Sequence, residues 1–285
     1  MKAAIRLVSA ILAANLFLAV AQIPDPLPNT CSSPVDLVFL VDSSESFRTS
    51  GFQDALTFVQ QVVNYFTLGV DETRVGVVTY SNRDAQITRI KLNERYNRVE
   101  LLNAIRAIPY DRGHTFTGLG LDHVRNNSFL EVNGRRSNTP DFLVVLTDDH
   151  SEDDVTRPAQ LIRQMGITVF VVGVGEEADI DQATLENIAG TPSRVFRLTD
   201  HDNLVDAIHA QSIRESICNA ARCQELTAPT NGARTPATGS HSVQNVIRFT
   251  CNTGYVLNGA ASVTCQADLT WTAPVPTCRR KMAFN

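Results

Sequence analysis

The residues best suited to chemistry close the stretch Val35-Asp36-Leu37-Val38-Phe39-Leu40-Val41-Asp42-Ser43-Ser44-Glu45-Ser46. An apolar run stops there in a carboxylate, and two hydroxyls follow at alternate positions. Alternate side chains of an extended segment point the same way, so Asp42, Ser44 and Ser46 can converge on one point. Their oxygens, with no Cys or His among them, suit a hard divalent cation, Mg²⁺ first and Mn²⁺ or Ca²⁺ next, over Zn²⁺ or Cu²⁺. The competing role for Asp42 and Ser44 is to cap the following helix, which Asp and Ser do well. A second apolar run, Phe142-Leu143-Val144-Val145-Leu146, also ends in a carboxylate, Asp148. The loop Gly113-His114-Thr115-Phe116-Thr117-Gly118 adds hydroxyls ahead of a further helix, where Thr115 and Thr117 taken singly read as caps.

These residues need a frame to hold them. Phe52, Ala55, Leu56, Val59, Val63 and Phe66 recur at helical spacing, with Gln53, Asp54, Gln60, Gln61 and Asn64 largely opposite, so an amphipathic helix follows Ser46. Strands are predicted at Val75–Tyr80 and Ala85–Leu92, then helices over Val99–Ile108 and from about Gly118 to Phe129. After Phe142–Leu146 come a helix at Val155–Met165, a strand at Ile167–Val172, and helices near Gln182–Ile188 and Asn203–Ile217. Strands that are apolar throughout and alternate with helices imply a mostly parallel sheet covered on both faces, a doubly wound α/β fold. Such sheets place ligands outside the carboxyl ends of their strands, where Asp42 and Asp148 stand.

Residues 1–21 carry Lys2 and Arg6, a short apolar run and small residues at Ala19-Val20-Ala21, the pattern of a secretory signal peptide. No later segment approaches the length of a transmembrane span. Removing the peptide takes two of the 25 basic residues and none of the 30 acidic ones, which moves the net charge from −5 to −7. That balance argues against a nucleic-acid partner. No Gly-x-Ser-x-Gly elbow, HExxH or CxxC occurs, and Gly173-Val174-Gly175 is followed by Glu176 and Glu177, which would oppose a pyrophosphate. No enzyme is expected.

On Asp42, Ser44, Ser46, Thr115 and Asp148 the segment from about Cys31 to Cys218 resembles the von Willebrand factor type A domain. The resemblance implies a metal-ion-dependent adhesion site in which Asp42, Ser44 and Ser46 form the first loop, Thr115 the second and Asp148 the third. It also implies an open coordination position, filled by a carboxylate of an extracellular protein partner, and adjacency of the first and fourth main strands. The residue after the third-loop Asp is usually Gly in the family and is Asp149 here, followed by His150, Ser151, Glu152, Asp153 and Asp154. Asp149 is expected to attract cations and oppose acidic ligands. Ser151 to Asp154 are expected to cap the helix that begins near Val155.

The six cysteines of a secreted chain read as three disulfides, with fifteen possible connectivities. Cys31 and Cys218 bracket the first domain and are expected to pair. From Cys223 onward helical periodicity ends and Thr, Asn, Gly and Pro become frequent, and so short a segment needs bridges to be stable. Pro229-Thr230-Asn231-Gly232, Phe249-Thr250-Cys251, Gly254-Tyr255, Cys265, Trp271 and Pro276-Thr277-Cys278 resemble a sushi (complement control) module. That resemblance implies the pairs Cys223–Cys265 and Cys251–Cys278. Trp271 is read as core packing between them.

The organisation expected is a signal peptide at 1–21, an N-terminal segment at 22–33, an A domain at 34–218, a sushi domain at 221–279 and a tail at 280–285. Asn126-Asn127-Ser128 is a glycosylation acceptor. The reading is a secreted matrix or cell-surface binding protein that engages its ligand through a divalent cation. An innate-immune recognition protein and a structural matrix component with metal-independent binding remain as alternatives.

Overall fold

The computed structural model describes Cys31, 33–148, 150–175, 182–239 and 241–281. The expected signal peptide, Asp149, Glu176 and Glu177 lie outside the described residues. A six-stranded sheet organises the larger unit. Its strands are β1 (Asp36–Asp42), β2 (Arg74–Tyr80), β3 (Gln86–Ile90), β4 (Asp141–Thr147), β5 (Thr168–Val174) and β6 (Val195–Leu198), in the order β3-β2-β1-β4-β5-β6. All neighbours are parallel except β3, which returns antiparallel along β2. The helices are α1 (Arg48–Asn64), α2 (Arg98–Arg106), α3 (Thr117–His123), α4 (Thr156–Gln164), α5 (Gln182–Ala189) and α6 (Ala207–Ala220).

The period of two along β1 sorts its side chains between two cores. Leu37, Phe39 and Val41 join the cluster that contains Phe52 and Val59 of α1, Leu101 and Ile105 of α2, and Ile213 and Ile217 of α6. Val38 and Leu40 join the opposite cluster, with Leu121 of α3, Ile162 of α4 and Leu185 of α5. Every residue of β1 and β4 is buried, which is why both read as unbroken apolar runs. Each such Val, Leu or Phe contributes ~1.5–3 kcal/mol on burial. The sheet expected from the sequence is therefore present, with helices on both faces.

Three local details differ from expectation. The helix predicted over Asn203–Ile217 is two pieces, a 3₁₀ turn at His201–Val205 and then α6. Asp206 interrupts them because its side chain accepts the Ile208 N–H and caps α6 instead of continuing the turn. The helix predicted to Phe129 leaves α3 through a π turn at Val124–Ser128. Strand β6, only four residues at the sheet edge and partly exposed, carries too short an apolar pattern to be read from the sequence.

The cysteine-rich region folds into short antiparallel pairings. Val246–Cys251 lies between Gly232–Thr235 and Ser262–Thr264, Tyr255–Asn258 pairs with Thr277–Arg280, and Arg222–Cys223 pairs with His241–Ser242. Ile247, Phe249 and Val263 make a three-residue core, too small to hold the region alone. Cys223–Cys265 and Cys251–Cys278 are disulfides flanking it, and Trp271 packs against it with its indole N–H donated to the Gln224 carbonyl at 2.8 Å. A third disulfide, Cys31–Cys218, joins the chain ahead of β1 to the end of α6. Among the described residues no helix is long and apolar enough to cross a membrane.

Candidate metal centre

Parallel pairing of β1 with β2 and β4 delivers three chain segments to one edge of the sheet. Because β1 and β4 stay in register from Asp36 opposite Asp141 to Val41 opposite Leu146, their ends arrive together. Asp42 is fully buried there. Its Oδ1 accepts the Ser44 N–H at 2.9 Å, and its Oδ2 accepts the hydroxyls of Tyr80 at 3.0 Å and Thr147 at 3.2 Å. The Ser44 and Ser46 hydroxyls are 2.8 Å apart, and Ser46 donates to Asp148 Oδ1 at 2.9 Å. Asp42, Ser44, Ser46 and Asp148 thus form one hydrogen-bonded chain, linked at Asp42 by the Ser44 N–H and from there to Asp148 by the two hydroxyls.

Thr115 joins this chain through its neighbours. It is buried, and its carbonyl accepts the Glu152 N–H at 2.8 Å, which ties the second loop to the third. Phe116 N–H donates to the Ser81 carbonyl, and Thr117 donates to the Tyr80 hydroxyl at 3.2 Å, directly under Asp42. Gly113, at φ +103°, is what lets the loops close up: a Cβ there would overlap the Asn82 side chain.

The helix-capping roles open to these residues go elsewhere. Phe47 stands at the N-cap of α1 and Phe116 at that of α3, and neither contributes a side-chain cap. The first free N–H groups of α3, at Gly118 and Leu119, are both held by the Asp153 carboxylate at 2.8 Å. Of the run expected to cap α4, only Asp154 does so, accepting the Thr156 N–H at 2.9 Å. Glu152 reaches His114 at 2.7 Å, and Ser151 accepts the Thr117 N–H. The reason is tertiary: the third loop lies over the N-terminus of α3, whose positive end draws Asp153 away from its own helix.

Burial, and then the charge of nearby Asp148, push the Asp42 carboxyl up to about 7, against the hydrogen bonds from Ser44 and Tyr80. Two carboxylates that oppose each other among hydroxyls are relieved by a cation between them. Among the described residues no group of three or more His, Cys, Asp and Glu could hold a metal, so the donor set here is two carboxylates plus hydroxyls, which fits the hard-cation class. Nothing in the sequence marks Tyr80 or Thr147 as part of the site. Tyr80 ends the apolar run of β2 as Asp42 ends that of β1, and the two are register partners, a relation visible only once the strands pair. Asn126 is exposed in the turn after α3, two residues before the buried Ser128.

Residues 36–210 match the von Willebrand factor type A domain, more than half of the chain, and residues 223–278 match the Sushi repeat (SCR repeat). The chain belongs to the von Willebrand factor type A domain family. Human collagen alpha-1(XX) chain is 38% identical over 159 residues, covering 56% of this chain and 12% of that one. Matrilin-1 of Gallus gallus is 31% identical over 256 residues, 86% of this chain and 48% of the relative. The chain therefore spans less than half the length of either. Among solved structures, proximal thread matrix protein 1 from the mussel byssus superposes with a TM-score of 0.61 at 25% identity, covering 66% of this chain and 48% of that one. A form of it with a zinc-occupied MIDAS motif gives 0.62 at 24% identity, over 67% and 50% of the two chains, a likeness of fold. The type A sheet with its β1–β4 adjacency is the frame on which the chain carries its oxygen cluster.

Proposed function

We propose that this chain is a secreted binding protein of the extracellular matrix whose type A domain engages a protein ligand through a divalent cation. Mg²⁺ is the proposed ion, with Mn²⁺ and Ca²⁺ as substitutes. The observation that carries the reading is the continuous oxygen cluster Asp42, Ser44, Ser46 and Asp148 at the end of β1 and β4, with Thr115 on the adjoining loop. Support also comes from relatives named as a collagen chain and a matrilin, and from a similarly folded proximal thread matrix protein whose MIDAS motif holds zinc.

In this reading Asp42 and Asp148 hold the ion by charge, and Ser44, Ser46 and Thr115 supply neutral oxygens. The bound ion provides a positive centre at which an oxygen of the partner docks. Tyr80 and Thr147 keep the Asp42 carboxylate turned toward the cluster, since both donate to the same oxygen. The sushi domain at 221–279 is a second contact surface or a spacer, and Asn126 carries carbohydrate. Both domain boundaries, 34–218 and 221–279, belong to this proposal.

Calorimetric titration of the mature protein with Mg²⁺, Mn²⁺ and Ca²⁺, beside Asp42→Ala, tests it. Saturable one-site binding, lost in the variant, is the expected result. Equal heats from both proteins would locate the metal elsewhere. Capture of matrix ligand unchanged by EDTA would point to metal-independent packing instead.

A further inference from the structure

Two arginines stand on the loops around the candidate centre, and neither forms an ion pair among the described residues. Arg83, exposed in the turn between β2 and β3, lies 4.9 Å from the centre of the Phe116 ring. Arg112, also exposed, lies 5.7 Å from that of Tyr110. Four other arginines of this domain are engaged by acids, Arg89 by Asp111, Arg125 by Asp122, Arg135 by Asp141 and Arg136 by Asp36. Arg74, which also lies over a ring, that of Tyr96, spends its donors on the Val70 and Gly134 carbonyls.

The two rings belong to the site's own loops. Phe116 follows Thr115, and its N–H bonds to Ser81 beside the Arg83 turn. Tyr110 donates its hydroxyl to the Ser44 carbonyl at 2.8 Å, which clamps that ring to the first loop. Contact through a ring face restrains a guanidinium without using its five N–H donors, so both forks stay available to carboxylates. Acidic groups on the same rim are Glu45 and Asp84, both exposed. Of the described acids after Asp148, Glu152 meets His114, Asp153 holds α3 and Asp154 holds α4, so opposition to an acidic partner from this run falls to Asp149, which lies outside the described residues.

We infer that the partner segment is an acidic peptide stretch with several carboxylates, one for the cation and its neighbours for Arg83 and Arg112. The inference rests on the metal-dependent reading above. Two guanidinium groups seated on rings of the site's own loops add positive centres to that of the dication, a pattern matched by neighbouring carboxylates of one segment. A long sulfated polysaccharide calls for an extended basic stripe.

The test uses fluorescently labelled peptides, one with a run of Asp and one with a single Asp in the same Gly/Ser frame, titrated with the full chain in Mg²⁺ or EDTA. The wild type is expected to prefer the Asp run by about tenfold, as two exposed charge pairs of modest strength allow. Arg83→Gln with Arg112→Gln should erase that preference and leave both the single-Asp affinity and the Mg²⁺ affinity unchanged. Added NaCl should narrow the preference in the wild type. If binding is EDTA-sensitive but the double variant keeps the preference, the arginine inference fails and the metal reading stands. If neither peptide binds while calorimetry shows the Mg²⁺ site, the acidic-peptide assignment fails and the metal reading stands; if peptide binding is indifferent to EDTA, the metal-dependent reading fails and the inference with it. Tighter binding of a heparin oligosaccharide through the same two arginines would overturn the peptide assignment.

Discussion

Tyr80 brings no charge to the candidate centre, yet its hydroxyl governs how Asp42 is held. The Asp42 carboxylate is fully buried, and burial favours the protonated form unless donors compensate. Tyr80, Thr147 and the Ser44 N–H are those donors. Removing one partner of a buried charged group costs more than the same bond is worth at the surface. Tyr80→Phe keeps the ring in its core position and deletes only the hydroxyl. Mg²⁺ affinity is expected to fall at least tenfold, the scale of outer-shell substitutions, with a stability loss of only ~1–2 kcal/mol. Calorimetry and urea unfolding of the same preparation measure the two effects; unchanged affinity would remove Tyr80 from the site.

Strand β1 carries an acid at each end, and the two ends are handled differently. At the upper end Asp42 is surrounded by hydroxyls and stands against Asp148. At the lower end Asp36 sits opposite Asp141 on β4. There the main chain and guanidinium of Arg136 donate to Asp36 at 2.6–2.9 Å, and Arg135 donates to Asp141 Oδ2 at 2.7 Å. Asp141 Oδ1 is buried without a hydrogen-bond partner. Burial accordingly pushes Asp141 up to about 6, in spite of Arg135. A carboxyl whose value is raised by folding stabilises the fold below its unfolded value of about 3.9, and that contribution is lost as pH rises through the folded value. Urea midpoints of the wild type and Asp141→Asn at pH 4, 5, 6 and 7 should therefore diverge with rising pH, to the wild type's disadvantage. The divergence is expected to approach ~3 kcal/mol, scaled at 1.36 kcal/mol per pH unit. Parallel profiles would show that Asp141 titrates normally.

For the molecule as a whole, three bridges do work that the cores cannot share equally. The larger unit has two extensive clusters on either side of its sheet, and the smaller has Ile247, Phe249 and Val263 with two disulfides. Cys31–Cys218 spans 187 residues and encloses the entire type A domain. Closing so long a loop stabilises by up to ~5 kcal/mol in the chain-entropy model. Cys31→Ser with Cys218→Ser should lower the unfolding free energy of that domain by several kcal/mol and leave the other module's transition in place. The single Trp, Trp271, lies in the smaller module, so its fluorescence follows that module while far-UV circular dichroism follows the helices. A shift of both transitions together would mean that the two units unfold as one.

The sequence by itself determined the sheet class, because strands buried on both faces must be apolar at every position and so announce themselves as runs. It also determined the ligand candidates, because Asp42, Ser44, Ser46 and Asp148 lie at or just past the ends of such runs. Edge strand β6 and the break at Asp206 were not legible: one is too short and too exposed to carry a period, and the other depends on a single local cap. Tertiary structure alone decided what surrounds the cluster. Tyr80, the capping of α3 by Asp153, and the aromatic seats of Arg83 and Arg112 all join residues that chain order keeps apart. Parallel pairing brings three loops to one edge, and hydrogen bonds between loops depend on that placement in space, which no pattern within a single segment records.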